Sequence, residues 1–292
     1  MSSVPIPRMP RRIRALPMWL RELVLVGALY GFYELVRGIH HSPVAVALDN
    51  GRDILNWERS LHLDPESWLT RGLEHVTPLA VPCAYFYSTM HYIITPVVLV
   101  WMFRRHREAY RTARTALAIG TSIGLVLFWL VPTAPPRLLS GDHVPDVLFA
   151  LRHWGWWGGD GSVPRGLGGI TNQLAAMPSL HVGWALWSGF LIARYARRRW
   201  VRVLGALYPV ATTLIVLATG NHYLLDVVAG MAAVALGALG ALALRRLTRT
   251  MRAARRARSS SRVPDVQATG APAGDVLGQP APGELVTASR GA

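Results

Sequence analysis

Residues 223–244 read YLLDVVAGMAAVALGALGALAL, an apolar run with one acidic side chain, Asp226, near its start. A helix that crosses a bilayer needs about 20 mostly apolar residues, and this run is long enough. Polar residues precede it at 220–222 (GNH), and arginines follow it at 245–246. The run therefore predicts a membrane-spanning helix whose two ends face different surroundings.

Further apolar runs accompany it along the chain. They occupy residues 16–36, 77–103, 115–132, 177–193 and 203–219. The first is weaker because it contains charged residues, but these lie near its ends, where they can reach the membrane interface. Charged residues make up 16% of the chain, well below the roughly 25% of soluble domains. The sequence predicts an all-α, six-span transmembrane helical bundle over residues 16–246.

Arginine placement predicts the orientation of this bundle. Arginine clusters lie at residues 8–21, 104–114, 194–202 and 245–258. With six spans, all of these clusters fall on one side, which the positive-inside rule assigns to the cytoplasm. We therefore expect a plasma-membrane protein with cytoplasmic termini. Residues 1–15 are a basic N-terminal segment, and residues 247–292 are a tail that is first basic and then disordered.

Charge and cysteine content exclude several other classes. The net charge is +15 and every basic residue is arginine. A basic chain can bind nucleic acid, but arginines between apolar runs indicate topology instead, so we expect no nucleic-acid partner. Cys83 is the single cysteine and forms no intrachain disulfide. No histidine or acid spacing indicates a metal site, and we expect neither metal nor cofactor.

One candidate group stands at the predicted outer end of the third span. Residues 132–137 read PTAPPR, and the prolines end the helix there. Arg137 then lies at the membrane surface, and a guanidinium binds phosphate well because its fork donates paired hydrogen bonds. The alternative is an ordinary helix exit with an interfacial arginine.

A second group opens the fourth span. Residues 176–181 read AMPSLH, with Pro178 suited to the first turn of a helix. Helix N-termini bind anions, Ser179 adds a hydroxyl, and His181 stands within the first turn. An ordinary helix start with a structural histidine is the alternative.

A third group opens the sixth span. His222 and Asp226 are four residues apart, so we expect them to share a helix face. A carboxylate on one imidazole nitrogen fixes the tautomer and leaves the other free to attack. A structural His–Asp pair is the alternative. Under the six-span topology all three groups meet at one depth on the outer face, which predicts an extracytoplasmic active site.

These residues resemble the motifs of the type 2 phosphatidic acid phosphatase superfamily, K-x6-R-P, P-S-G-H and S-R-x5-H-x3-D. Arg137 is similar to the first arginine, residues 178–181 (PSLH) to the second motif, and His222 with Asp226 to the third. The chain departs from the pattern at three positions. Leu130 replaces the lysine, Leu138 replaces a proline, and Val216 replaces an arginine.

The departures are typical of one branch of that superfamily. Residues 133–137 (TAPPR), 175–181 (AAMPSLH) and 222–227 (HYLLDV) resemble the branch that contains inositol phosphorylceramide synthase. The last of these segments is also similar to sphingomyelin synthase. The resemblance covers roughly residues 57–230 and implies an inositolphosphotransferase-like enzyme.

The resemblance implies a membrane lipid phosphatase or phosphotransferase with a phosphohistidine intermediate. His222 would attack phosphorus, Asp226 would orient it, and His181 would act as acid. The substrate, a lipid-linked phosphate or phosphodiester, would be bound by Arg137, Ser179, Arg165 and Asn172. Head group, acceptor, oligomeric state, and the choice between hydrolysis and transfer stay open. The alternative is a non-catalytic lipid-binding or transport membrane protein on the same fold.

Overall fold

The computed structural model describes residues 44–139, 144–157 and 173–260, with a few single positions between 17 and 31. This part of the chain is helical and contains no β-strand, which confirms the all-α prediction. The helices are α1 (Val44–Ser60), α2 (Pro65–Glu74), α3 (Thr77–Arg105), α4 (Arg107–Leu130), α5 (Val147–Ala150), α6 (Leu180–Tyr195), α7 (Arg199–Ala218) and α8 (Leu224–Ser260). A 3₁₀ turn at Pro136–Leu138 lies between α4 and α5.

Among the described helices, four are long and apolar enough to cross a membrane: α3, α4, α7 and the Leu224–Arg255 part of α8. They give the chain the character of an integral membrane protein. Helix α6 corresponds to the predicted span at 177–193 but has only 16 residues, fewer than the roughly 20 that cross a bilayer without help. The predicted span at 16–36 falls largely outside the described residues.

The segment between the second and third predicted spans, residues 104–114, is almost entirely helical. A single residue, His106, separates α3 from α4, and Arg107, Arg111 and Arg114 lie within α4. Arginine and alanine favour helix strongly, so the basic segment lengthens the helices on both sides of the break at His106. At its other end α4 stops at Leu130, two residues before Pro132, as the proline predicted.

Small residues let the helices around the candidate site approach closely. A Cβ added at Gly230 of α8 would collide with the carbonyl oxygen of Ser179, and one added at Gly189 of α6 would collide with that of Gly205. Glycine at such contacts allows neighbouring backbones to touch. In addition, the Ser179 N–H donates to the Asp226 carbonyl at 2.9 Å, so the start of α6 is fixed against the first turn of α8.

Helix α1 supports the segment that follows α4. The Ala134 N–H donates to the Ala47 carbonyl at 2.8 Å, and the Tyr223 hydroxyl donates to the Ala134 carbonyl at 2.8 Å. Tyr223 is fully buried. The segment that carries Arg137 is therefore held between α1 and the residues just before α8.

A second compact unit comprises residues 249–292. Its described part, residues 249–260, is helical. The basic segment after residue 246 is thus helical as far as Ser260. The tail predicted to be disordered lies mostly beyond residue 260, outside the described residues.

Candidate active site

His222 and Asp226 are in contact, but not because they share a helix face. Helix α8 begins at Leu224, so His222 precedes it. The Asp226 carboxylate turns back over the helix start, where Oδ2 accepts from the Tyr223 N–H at 2.9 Å and lies 3.2 Å from His222 Nδ1. An acid in the first turn that accepts from the residue before the helix is half of a capping box. The same carboxylate oxygen therefore caps the helix and orients the imidazole.

The contacts of His222 determine its tautomer. Nδ1 lies 2.9 Å from the Ala176 carbonyl oxygen as well as 3.2 Å from Asp226 Oδ2. Because both partners accept, Nδ1 must carry the proton in the neutral ring. Nε2 then keeps its lone pair. His222 is 4% exposed and Asp226 is fully buried, so the ring is fixed from two directions and Nε2 is the nitrogen with a free lone pair.

His181 faces that atom. Its Nδ1 lies 3.3 Å from His222 Nε2. His181 is the second residue of α6, and Ser179 is the N-cap, whose hydroxyl accepts from the Val182 N–H at 3.4 Å. The prediction that Pro178 occupies the first turn was therefore wrong, since the helix starts two residues later. Ser179 is fully buried. Its hydrogen bonds to Val182 and Asp226 fix the start of the helix that carries His181.

Two aromatic rings of α3 enclose His181. Tyr87 stacks on it with ring centroids 4.6 Å apart, and His91, one turn later, meets it edge-on at 4.3 Å. A small cavity lies on this side of His181, between α3, α6 and α7. Its other lining residues are apolar or aromatic, apart from Thr212. His181 thus borders both His222 and a largely apolar space.

Arg137 is a buried cation beside the segment that leads to His222. Its Nε donates to Asn221 Oδ1 at 2.9 Å, and its Nη1 to Asp146 Oδ2 at 3.2 Å. Its backbone N–H donates to the Gly220 carbonyl at 3.1 Å. A buried charge needs partners of this kind. Among the described residues, Arg137 is thus held through Nε, Nη1 and its backbone N–H.

Asp146 and Asn221 are site residues that the sequence analysis missed. Asp146 caps α5, since its Oδ1 accepts from the Phe149 N–H at 2.9 Å, and it uses the other oxygen for Arg137. An aspartate before a short apolar run is a recognisable helix start, but nothing in that pattern points to Arg137. Asn221 directly precedes His222, so its position alone was a usable signal.

Two predicted substrate-binding residues, Arg165 and Asn172, lie outside the described residues, which break between 157 and 173. Within the described ranges no three histidine, cysteine or acidic side chains are grouped as a metal site would require. The described site therefore consists of two facing histidines, an orienting carboxylate and a partly neutralised arginine.

Comparison with known families gives one match. The family model described as PAP2 superfamily matches residues 52–240, from within α1 to within α8. That range includes all of the described site residues named above. No curated protein and no solved structure matches the chain.

Proposed function

The chain belongs to the PAP2 superfamily, and we propose from this that it is a membrane enzyme that transfers the phosphoryl group of a lipid-linked substrate through a phosphohistidine. One observation carries the proposal. His222 Nδ1 is held by Asp226 and Ala176, so Nε2 is the free nucleophile, and it faces His181 at 3.3 Å. An oriented imidazole with one free nitrogen, next to a second histidine, supplies the candidate nucleophile and the candidate acid of such a reaction.

The proposed reaction has two steps. In the first, His222 Nε2 forms a bond to phosphorus while the bond from phosphorus to the leaving oxygen breaks, and His181 gives that oxygen a proton. In the second, His181 takes a proton from water or an alcohol, whose oxygen forms the new bond to phosphorus as the N–P bond breaks. Arg137 stabilises the phosphoryl oxygens. Positioning and charge stabilisation supply most of the rate in such reactions.

Substrate entry must separate the two histidines. At 3.3 Å their nitrogens are in hydrogen-bond contact, and a phosphoryl group has to lie between the nucleophile and the acid for in-line attack. We propose that His181 is the ring that shifts, because His222 is held by two acceptors.

The charge at the site supports a phosphodiester substrate and a transferase. Arg137 already pairs with Asp146 at 3.2 Å, so its net positive charge is reduced. Val216 stands where the phosphatase pattern has an arginine and is 1% exposed in the core. A phosphate monoester carries up to two negative charges, whereas a diester carries one, and the one shared cation found among the described site residues suits the diester better. This agrees with the proposed relation to the inositol phosphorylceramide synthase branch.

The function is tested with the purified chain in detergent and chelator, using radiolabelled phosphatidylinositol, phosphatidate and polyprenyl phosphate. Each lipid is incubated with and without a long-chain alcohol acceptor. We expect label from the phosphodiester to appear in a new lipid only when acceptor is present. Free phosphate from the monoesters, whatever the acceptor, would make the chain a phosphatase instead. If the chain binds these lipids but neither turns any of them over nor forms a labelled histidine, the non-catalytic lipid-binding or transport alternative would be favoured.

We further propose six spans, cytoplasmic termini, and an extracytoplasmic site in the plasma membrane. The four apolar helices and the arginines between α6 and α7 support this arrangement. The test uses single cysteines at His153 and Arg198, both exposed, in a Cys83→Ala background. In intact cells, an impermeant thiol reagent should label the cysteine at 153 and leave the one at 198 unlabelled until the membrane is opened. Labelling of both from outside would overturn the topology.

A further inference from the structure

Helices α1 and α2 bring two glutamates together in the interior. The chain turns sharply between the helices, where His62 adopts a left-handed backbone with φ 56°. Glu58 and Glu66 are 2% and 0% exposed. Among the described residues neither carboxyl has a basic side chain within ion-pair distance, although buried acids usually have a cationic partner. Such a pair in a chain poor in acids requires an explanation.

Glu58 reaches the start of the helix that carries Asp226. Its Oε1 accepts from the Leu225 N–H at 2.6 Å. The first N–H groups of a helix have no partner within it, and a side-chain oxygen that accepts from one of them stabilises the helix start. Asp226 satisfies the Tyr223 N–H at 2.9 Å. Glu58 therefore caps α8 from another helix, next to the residue that orients His222.

A shared proton explains the second glutamate. If both groups were ionised, Glu58 Oε2 and both Glu66 oxygens would be buried without a donor among the described residues, and such orphaned atoms are rare. Each carboxyl affects the pKa of the other, and a proton on Glu66 would give this pair of acids a hydrogen-bond donor. Burial, followed by the hydrogen bond and charge of Glu58, raises the pKa of Glu66 to about 9, which keeps it protonated at neutral pH.

We propose that Glu58, supported by Glu66, is a positioning residue for His222 that acts by anchoring the first turn of α8. The anchored turn holds Asp226, whose Oδ2 orients His222 Nδ1 at 3.2 Å. The backbone carbonyl of Asp226 accepts from the Ser179 N–H at 2.9 Å. This hydrogen bond ties the start of α6, which carries His181, to the same turn. One buried carboxyl pair thus sets the relative position of both histidines. The inference rests on the proposed phosphotransfer at His222.

Variants of Glu58 separate hydrogen bonding from charge. Glu58→Ala should lower kcat about 10- to 100-fold, as loss of an orienting partner usually does, with KM changed less than about threefold. Glu58→Gln should restore most of kcat, since its amide oxygen still accepts from the Leu225 N–H. Glu58→Asp keeps the charge but is one methylene shorter and should behave like Glu58→Ala. The proposal would be overturned if a folded Glu58→Asp variant had the wild-type kcat. It would also be overturned if Glu58→Gln lost as much kcat as Glu58→Ala.

Glu66 provides an independent test through stability. The folded chain keeps its proton up to about pH 9, whereas the unfolded chain releases it near 4.5. Between these values the folded state binds more protons, so its stability falls as pH rises. The ionisable groups facing Glu66 are Glu58 on α1 and Asp64 in the turn. The neighbouring residues 77–82, 147–150 and 209–218 contain none. In Glu66→Gln the melting temperature should fall less with pH than in wild type, and an unchanged slope would contradict the shared proton.

A spectroscopic readout distinguishes this proposal from the proposed function. With ¹⁵N-labelled histidine, His222 in wild type should show a single Nδ1–H tautomer. Glu58→Ala should give a mixture of tautomers and Glu58→Gln should restore the single form. None of these results requires turnover, so a wild type that is inactive on every lipid but shows this pattern would refute the phosphotransfer and leave the positioning role. A wild-type His222 spectrum in Glu58→Ala would refute the positioning role.

Discussion

His222→Ala is expected to lower kcat by at least about 10⁴-fold, the scale on which deletion of a nucleophile acts in other transfer enzymes. The variant removes the atom that we propose bonds to phosphorus, and among the described residues no second nucleophile lies in its place. His181 is 3.3 Å away in hydrogen-bond contact, but Tyr87 stacks on its ring at 4.6 Å. It also has no carboxylate partner among the described residues.

The measurement is a rapid-quench experiment with radiolabelled lipid substrate. Wild type should form an acid-labile, base-stable label on the protein before product accumulates, and His222→Ala should form none. His75→Ala is the matched control, because His75 is an exposed histidine outside the site, and it should keep full activity and label. Substantial turnover in His222→Ala, or label of wild-type amount in that variant, would refute the histidine mechanism.

Long apolar helices were the part of the fold that the sequence predicted best. The run at 223–244 was predicted correctly because some twenty apolar residues with no helix breaker can form only a buried or membrane-spanning helix. The helical continuation through residues 104–114 was not predicted, because the arginines there were used only to assign a side of the membrane. Charge placement informs about sidedness but not about chain breaks, and arginine is a good helix former.

The local part of the site was easier to predict than the long-range part. The spacing of His222 and Asp226 was enough to expect their contact, although the actual cause is a capping interaction before α8 and not a shared helix face. Asp146 and Glu58 escaped prediction because their partners, Arg137 and the Leu225 amide, are distant in sequence, and tertiary contacts leave no periodic signal. Glu58 is one of 16 acidic residues in the chain, and nothing in the sequence around it distinguishes it from the others.

His181→Ala should have an effect that depends on the leaving group. On a lipid whose leaving group is an alkyl alcohol, loss of the acid should lower kcat about 10²- to 10⁴-fold, because the departing alkoxide needs a proton. On an otherwise matched substrate with a nitrophenol leaving group, the loss should be less than about tenfold, since nitrophenolate departs without a proton. The ratio of the two losses isolates proton transfer from any effect on binding or folding.

Tyr87→Phe is the matched control for this comparison, because it keeps the ring that stacks on His181 at 4.6 Å. Tyr87→Phe should lower kcat for both substrates modestly and by the same factor. If His181→Ala instead lowered kcat for both substrates by the same large factor, His181 would not be the acid. It would be a residue that positions His222 through the 3.3 Å contact. The leaving-group dependence therefore decides which of two chemically different roles that single contact represents.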